Sequence, residues 1–166
     1  MKTLVLFLVA LFSFQCSLFS QDWPMIGGDR ARTSFKQVNL SFPLDTAIVY
    51  DLSTGGNEDG MCIYDGNLYV QVGRDSNVLI AFDLATGDSL WQFEVPNSTA
   101  SASYIPAASG NVVLAGGQKG LGLFGLNRND GAQLWFKDVG SLYTRSPLVD
   151  DTLVFLGKDS LYCMSI

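Results

Sequence analysis

One block of this sequence returns at a fixed interval of 44 residues, and a repeat of that length restricts the fold more than any other feature of the chain. Leu79-Ile80-Ala81-Phe82-Asp83-Leu84-Ala85-Thr86-Gly87-Asp88-Ser89-Leu90-Trp91 is matched by Leu123-Phe124-Gly125-Leu126-Asn127-Arg128-Asn129-Asp130-Gly131-Ala132-Gln133-Leu134-Trp135. Asp83 moves to Asn127, Gly87 to Gly131 and Trp91 to Trp135. The stretch Gly66-Asn67-Leu68-Tyr69-Val70 moves by the same step to Gly110-Asn111-Val112-Val113-Leu114. A third copy starts at Ser146-Pro147-Leu148-Val149 and runs to Leu161-Tyr162-Cys163-Met164-Ser165-Ile166. In it Cys163 stands where Ala81 and Gly125 stand, and Ser165 where Asp83 and Asn127 stand.

Each unit reads as short strands between turns. A strand over 68–72 follows an Asp-Gly-Asn turn, one over 78–84 precedes Ala-Thr-Gly, and one over 89–95 carries the Trp. In that last strand Trp91, Phe93 and Val95 alternate with Gln92 and Glu94, so one face is apolar. The segment 101–108 is rich in small residues, as an innermost strand crowding an axis would be. No stretch after residue 20 has helical periodicity. Four short strands in about 40–45 residues is the size of one β-propeller blade. The expected fold is therefore all-β, a propeller of four-stranded antiparallel blades. A lead-in over 21–41 is expected before blades over about 42–97, 98–140 and 141–166, the third cut short. A closed ring of 4–8 such blades needs about 180–350 residues. The 146 residues that follow position 20 (166 − 20) fall below that, so an incomplete propeller is expected, with further blades of a longer chain as its first partner.

Lys2 followed by an uncharged, almost wholly apolar run over 4–14 has the anatomy of a secretory signal peptide covering 1–20, cleaved between Ser20 and Gln21. The run is too short to span a bilayer, so no transmembrane span is expected after cleavage. Cys16 could be acylated in a lipoprotein, but Gln15 stands where such signals want a small residue. An exported chain would lie in the periplasm, at the outer envelope or outside the cell. Without Lys2 the chain carries 9 basic and 16 acidic side chains, a net charge of 9 − 16 = −7, which argues against nucleic acid and anionic lipid as partners. There is no His, which removes Ser-His-Asp triads, Cys-His dyads and His-ligated zinc. Cys62 and Cys163, a hundred residues apart without framework spacing, read as two buried small hydrophobes, although an oxidising compartment would permit pairing.

Ala81-x-Asp83-x-x-Thr86-Gly87-x-x-x-Trp91 resembles, at every fixed position, the docking motif of propellers similar to the pyrroloquinoline-quinone (PQQ) dehydrogenases. Gly125, Asn127, Asp130, Gly131 and Trp135 fill the same slots in a degenerate second copy. The segment from Asp22-Trp23-Pro24-Met25 to Arg32-Thr33 looks like the lead-in common in that family. The resemblance implies that Trp91 and Trp135 dock between neighbouring blades, which makes these residues structural. Their chemistry agrees: glycine supplies the positive φ of a tight turn, and Asp or Asn accepts bonds from turn amides.

Quinoproteins of the family carry adjacent cysteines, a Ca²⁺ held by Glu, Asn and Asp, and a catalytic Asp. Here no two cysteines adjoin, and Glu58, Asp59, Asp150 and Asp151 sit in turns without the ligand spacing a Ca²⁺ cage needs. No cofactor, metal or catalytic residue is therefore expected. Gly116-Gly117-Gln118-Lys119-Gly120-Leu121-Gly122 lacks the ending of a phosphate loop and reads as a hairpin. Tyr104, Tyr143 and Arg145, near the starts of innermost strands, are the residues nominated for recognition at the channel or its rim. The expected function is that of an exported, non-catalytic scaffold binding a protein or peptide. It resembles the scaffold type found in outer-membrane β-barrel assembly. A fragment of a periplasmic PQQ- and Ca²⁺-dependent dehydrogenase and a secreted glycan-binding propeller are the alternatives.

Overall fold

Three antiparallel sheets follow one another along the chain in a computed structural model that describes residues 22–26, 28, 57–73, 77–96, 104–116, 122–140, 146–157 and 160–166. The first contains β1 (Asn57–Tyr64), β2 (Asn67–Gly73), β3 (Asn77–Asp83) and β4 (Ser89–Glu94), paired in that order. The second contains β5 (Ala107–Ser109), β6 (Val112–Gly116), β7 (Leu123–Asn127) and β8 (Gln133–Lys137), again in order. The third contains β9 (Leu148–Asp150), β10 (Leu153–Gly157) and β11 (Leu161–Ser165). No helix occurs among the described residues, so none there is long and apolar enough to cross a membrane. The sheets lie side by side through β1, β5 and β9, and the described residues form an open arc of three rather than a closed ring. The architecture is that of propeller blades, each of which buries its faces against its neighbours.

Tight turns account for the hairpins. Asp65 and Gly66 lie at φ 47° and 77°, the conformation that a two-residue hairpin turn requires. Gly110 (φ 55°) and Asp151 (φ 49°) turn the corresponding hairpins of the second and third sheets. Between β3 and β4, Asp83 Oδ1 accepts from the backbone N–H of Ala85 and of Thr86, both at 2.8 Å, and Gly87 follows at φ 80°. The Gly-rich segment does connect two hairpin strands, since β6 and β7 are antiparallel neighbours. Residues 117–121 within it lie outside the described residues, as do the signal segment with Cys16 and the nominated Tyr143 and Arg145.

Two cores lie between the sheets. Cys62, Tyr69, Leu79 and Ala81 of the first sheet meet Ala108, Val113, Phe124 and Leu126 of the second. Val112, Leu114 and Leu123 of the second meet Val149, Val154 and Leu156 of the third. Burying one such side chain is worth about 1.5–3 kcal/mol, so these faces hold the sheets together. The outermost strands β4 and β8 stay largely exposed. The lead-in fastens the inner strands: Trp23 and Ile63 exchange backbone hydrogen bonds at 2.6 and 2.8 Å, and Pro24 C=O accepts from Ala108 N–H at 2.9 Å. One short segment thus bonds to β1 and β5 together.

One cysteine departs from the expectation. Cys62 is fully buried, and burial pushes its thiol well above the usual range. Cys163, also free, is exposed, because it lies on the face of β11 turned away from the second sheet.

Candidate functional site

The repeat motif builds the junctions between sheets. Trp91, on β4, lies directly across from Ala81, and its Nε1–H donates to the backbone carbonyl of Arg128 in the second sheet at 2.9 Å. Its ring also rests on Gly131, where a Cβ would come within 2.6 Å. Gly131 has φ 73°, so steric room and backbone conformation both require glycine there. Trp135 repeats the arrangement inside its own sheet, where a Cβ on the opposing Gly125 would lie 2.1 Å from the indole. Small residues 81 and 125 thus make room within a sheet, whereas Gly131 makes room across the junction, a role that spacing alone did not reveal. Trp135 packs against the core shared with the third sheet, and its buried Nε1–H has no acceptor among the described residues.

The polar motif residues are occupied by their own turns. Thr86 Oγ1 accepts from Asp88 N–H at 3.2 Å, Asn127 Oδ1 from Asn129 N–H at 2.9 Å, and Asp130 Oδ1 from Ala132 N–H at 3.0 Å. The N–H groups of Thr86 and Ala85 hold the Asp83 carboxyl below its ordinary range.

A second cluster gathers where the hairpin turns of the three sheets meet the lead-in. A cleft of about 280 Å³ there is lined by Asp22, Met25, Tyr64, Ser109, Asp150 and Asp151, among others. Asp22 Oδ1 accepts from Asp65 N–H at 2.7 Å, and the Asp65 carboxylate pairs with Arg128. Arg128 stacks its guanidinium over the Tyr64 ring at 5.5 Å, and Tyr64 Oη accepts from Gly110 N–H at 3.0 Å. Partial burial opposes the charge on Arg128, but the bond to Asp65 outweighs it and holds the guanidinium more firmly protonated. Ser109 Oγ donates to the Asp151 carbonyl at 2.7 Å, tying the turn of the second sheet to that of the third. The cleft can offer carboxylates and hydroxyls to a polar or cationic group. The only sequence sign of it is one turn of this kind in each unit.

Of the nominated recognition residues, Tyr104 is fully buried in the core, with a hydroxyl that has no partner among the described residues. Burial, and secondarily Cys62, raises its ionisation well above the tyrosine range. The core encloses it because it leads into β5, between the first and third sheets, so it is not on a surface that a partner could reach.

The described residues do not fit a Ca²⁺–quinone pair. No three His, Cys, Asp or Glu side chains among them converge on a point. Asp83 spends its carboxylate on its own turn, and Asp65 is paired with Arg128.

A sequence profile of the family described as outer membrane protein assembly factor BamB matches residues 46–165. Among solved structures, BamB from Moraxella catarrhalis is similar at 21% identity with a TM-score of 0.51, covering 64% of this chain and 32% of that one. A europium-containing methanol dehydrogenase is similar at 18% identity with a TM-score of 0.57, covering 87% of this chain and 28% of that one. At such identities the likeness is one of fold, and the chain spans about a third or less of either protein's length. No curated protein matches.

Proposed function

This chain belongs to the PQQ-repeat family of outer membrane protein assembly factor BamB, and from that premise we propose that it is an exported, non-catalytic propeller scaffold that holds a protein partner at the cell envelope. The family match over 46–165 carries the reading. The arrangement of the motif supports it, because Asp83, Thr86, Asn127 and Asp130 bond their own turns while Trp91 fastens one sheet to the next. In this reading Ala81, Gly87, Gly125, Gly131 and Trp135 are fasteners too, and recognition falls to the turn cleft and to open strand edges. Export rests on the leader-like residues 1–20.

The test is photocrosslinking in cells, from a benzophenone amino acid at exposed Asp151 on the cleft and, as control, at exposed Lys137 on β8. The proposal expects an envelope protein to be captured from position 151 and little from 137. A chain recovered from the cytosol with its leader intact, and captured by nothing, overturns it.

A further inference from the structure

The cleft among the hairpin turns combines apolar walls with an acid rim. Buried Met25, Ala108 and Val149, together with Pro24, give it apolar walls. Asp22, Asp150 and Asp151 are the carboxylates along it, the first two half-buried and the third exposed. At about 280 Å³ it is smaller than the roughly 300–1,000 Å³ of most small-molecule sites, so it suits a single side chain and not a cofactor. Its walls come from the lead-in and from the hairpins β1–β2, β5–β6 and β9–β10, which are complete in all three sheets.

The charge at this end of the sheets is one-sided. The two turns of a sheet lie together there, since Leu84 N–H bonds Gly66 C=O at 2.9 Å and Arg128 N–H bonds Asn111 C=O at 3.0 Å. Asp65, Asp83, Asp88 and Asp130 sit in those turns beside the cleft carboxylates. Among the described residues the cations are Arg128 and Lys137, and Lys137 closes β8 at the opposite end of its sheet. A field of this sign draws cations toward the cleft. Arg128 shows which cation the turns accept: its guanidinium lies over Tyr64 and pairs with Asp65, and Tyr64 also lines the cleft. No three carboxylates among the described residues converge on a point, so the rim suits a broad planar cation with several donors better than a metal ion. We infer that the cleft is a socket for one arginine side chain of a partner protein, its stem along Met25, Ala108 and Val149 and its guanidinium at Asp22 and Asp151. The inference rests on the scaffold reading for its partner and adds the residue by which that partner is held.

The test immobilises the full chain, with Cys16→Ser, on a sensor surface and passes short peptides over it at physiological salt. The peptide Gly-Ser-Arg-Ser-Gly is expected to bind saturably, with a Kd of about 1 mM. Citrulline in place of its arginine keeps the shape without the charge and should weaken binding about tenfold. An arginine analogue with a stem two methylenes shorter should also bind about tenfold more weakly, because the apolar walls lose their contact. Asp22→Asn keeps the acceptor for Asp65 N–H, and Asp151→Asn suits the positive φ of that turn. Each should weaken binding about fivefold with an unchanged circular dichroism spectrum, and Asp88→Asn, at an exposed position, should not. Equal binding of the arginine and citrulline peptides, no effect of stem length, or an Asp88→Asn loss equal to that of Asp22→Asn would each overturn the socket. So would binding that appears only when Arg30 and Arg32 are both replaced by alanine, because the chain would then fill its own cleft. A benzophenone at position 151 leaves Asp22 and Asp150 in place, so capture from there stays expected. Capture without any preference for arginine removes the socket and leaves the scaffold reading standing.

Discussion

Replacing Gly131 by alanine separates the fit of Trp91 across the sheet junction from the ordinary cost of putting a side chain in a left-handed turn. Gly66 is the matched control. Its φ is +77° against +73° at Gly131, but a Cβ there meets nothing within 4 Å, whereas at Gly131 it would lie 2.6 Å from the Trp91 ring. The conformational penalty, about 1–2 kcal/mol, is common to both. Overpacking against a held ring adds about 1–3 kcal/mol at Gly131 alone. Urea unfolding of the full chain, followed by circular dichroism, should place the Gly131→Ala midpoint below that of Gly66→Ala by about 1 M, given slopes of about 1–3 kcal/mol per molar. The excess should disappear in a Trp91→Ala background, where the ring is gone, which makes the comparison a double-mutant cycle. Equal midpoints for the two single variants, or an excess that survives loss of Trp91, would refute the clamp.

Asp83→Ala should destabilise the chain more than Asp83→Asn, because Asn keeps an acceptor for the Ala85 and Thr86 amides, and thermal melts of the two variants check the order. Those amides depress the carboxyl in the folded state, so its contribution is present above the unfolded value and lost as pH falls through the folded one. The wild-type melting temperature should then fall in acid more than that of Asp83→Asn. In alkali the sign reverses. Burial pushes Tyr69 up to about 12 and raises Tyr104 and Cys62 too, so stability is complete below their ordinary values and should be lost as pH climbs beyond them. Tyrosinate absorbance should lag behind that of the unfolded chain, and coincident curves would count against the buried placement. With Cys16→Ser, a thiol reagent should titrate one cysteine quickly, Cys163, and Cys62 only on unfolding.

The sequence declared the strands and the sheet order because a repeat displays the same alternation and the same turn residues twice, at Asp83 to Trp91 and at Asn127 to Trp135. Both outer strands fall at the matching place, residues Ser89–Glu94 and Gln133–Lys137. What could not be read off was anything made between units. The partner of Trp91 is a backbone carbonyl, Arg128, and backbone carries no sequence signature. The cleft joins Asp22 to Asp65 and Ser109 to Asp151, pairs 43 and 42 residues apart whose meeting depends on how sheets stack. Tyr104, nominated for its place beside an innermost strand, is enclosed because the neighbouring sheet supplies apolar surface around it, a burial that position along one strand does not display. Cys163 reads as core because Ala81 and Gly125 are core, but among the described residues no sheet packs on its face of β11, and it is exposed.

Whether the chain carries a partner or a reaction is decided most directly by loading the full-length protein with PQQ and Ca²⁺ and following alcohol-dependent reduction of an electron-acceptor dye. A scaffold gives the same rate with and without the quinone. Turnover that requires both PQQ and Ca²⁺ and saturates with alcohol would contradict it.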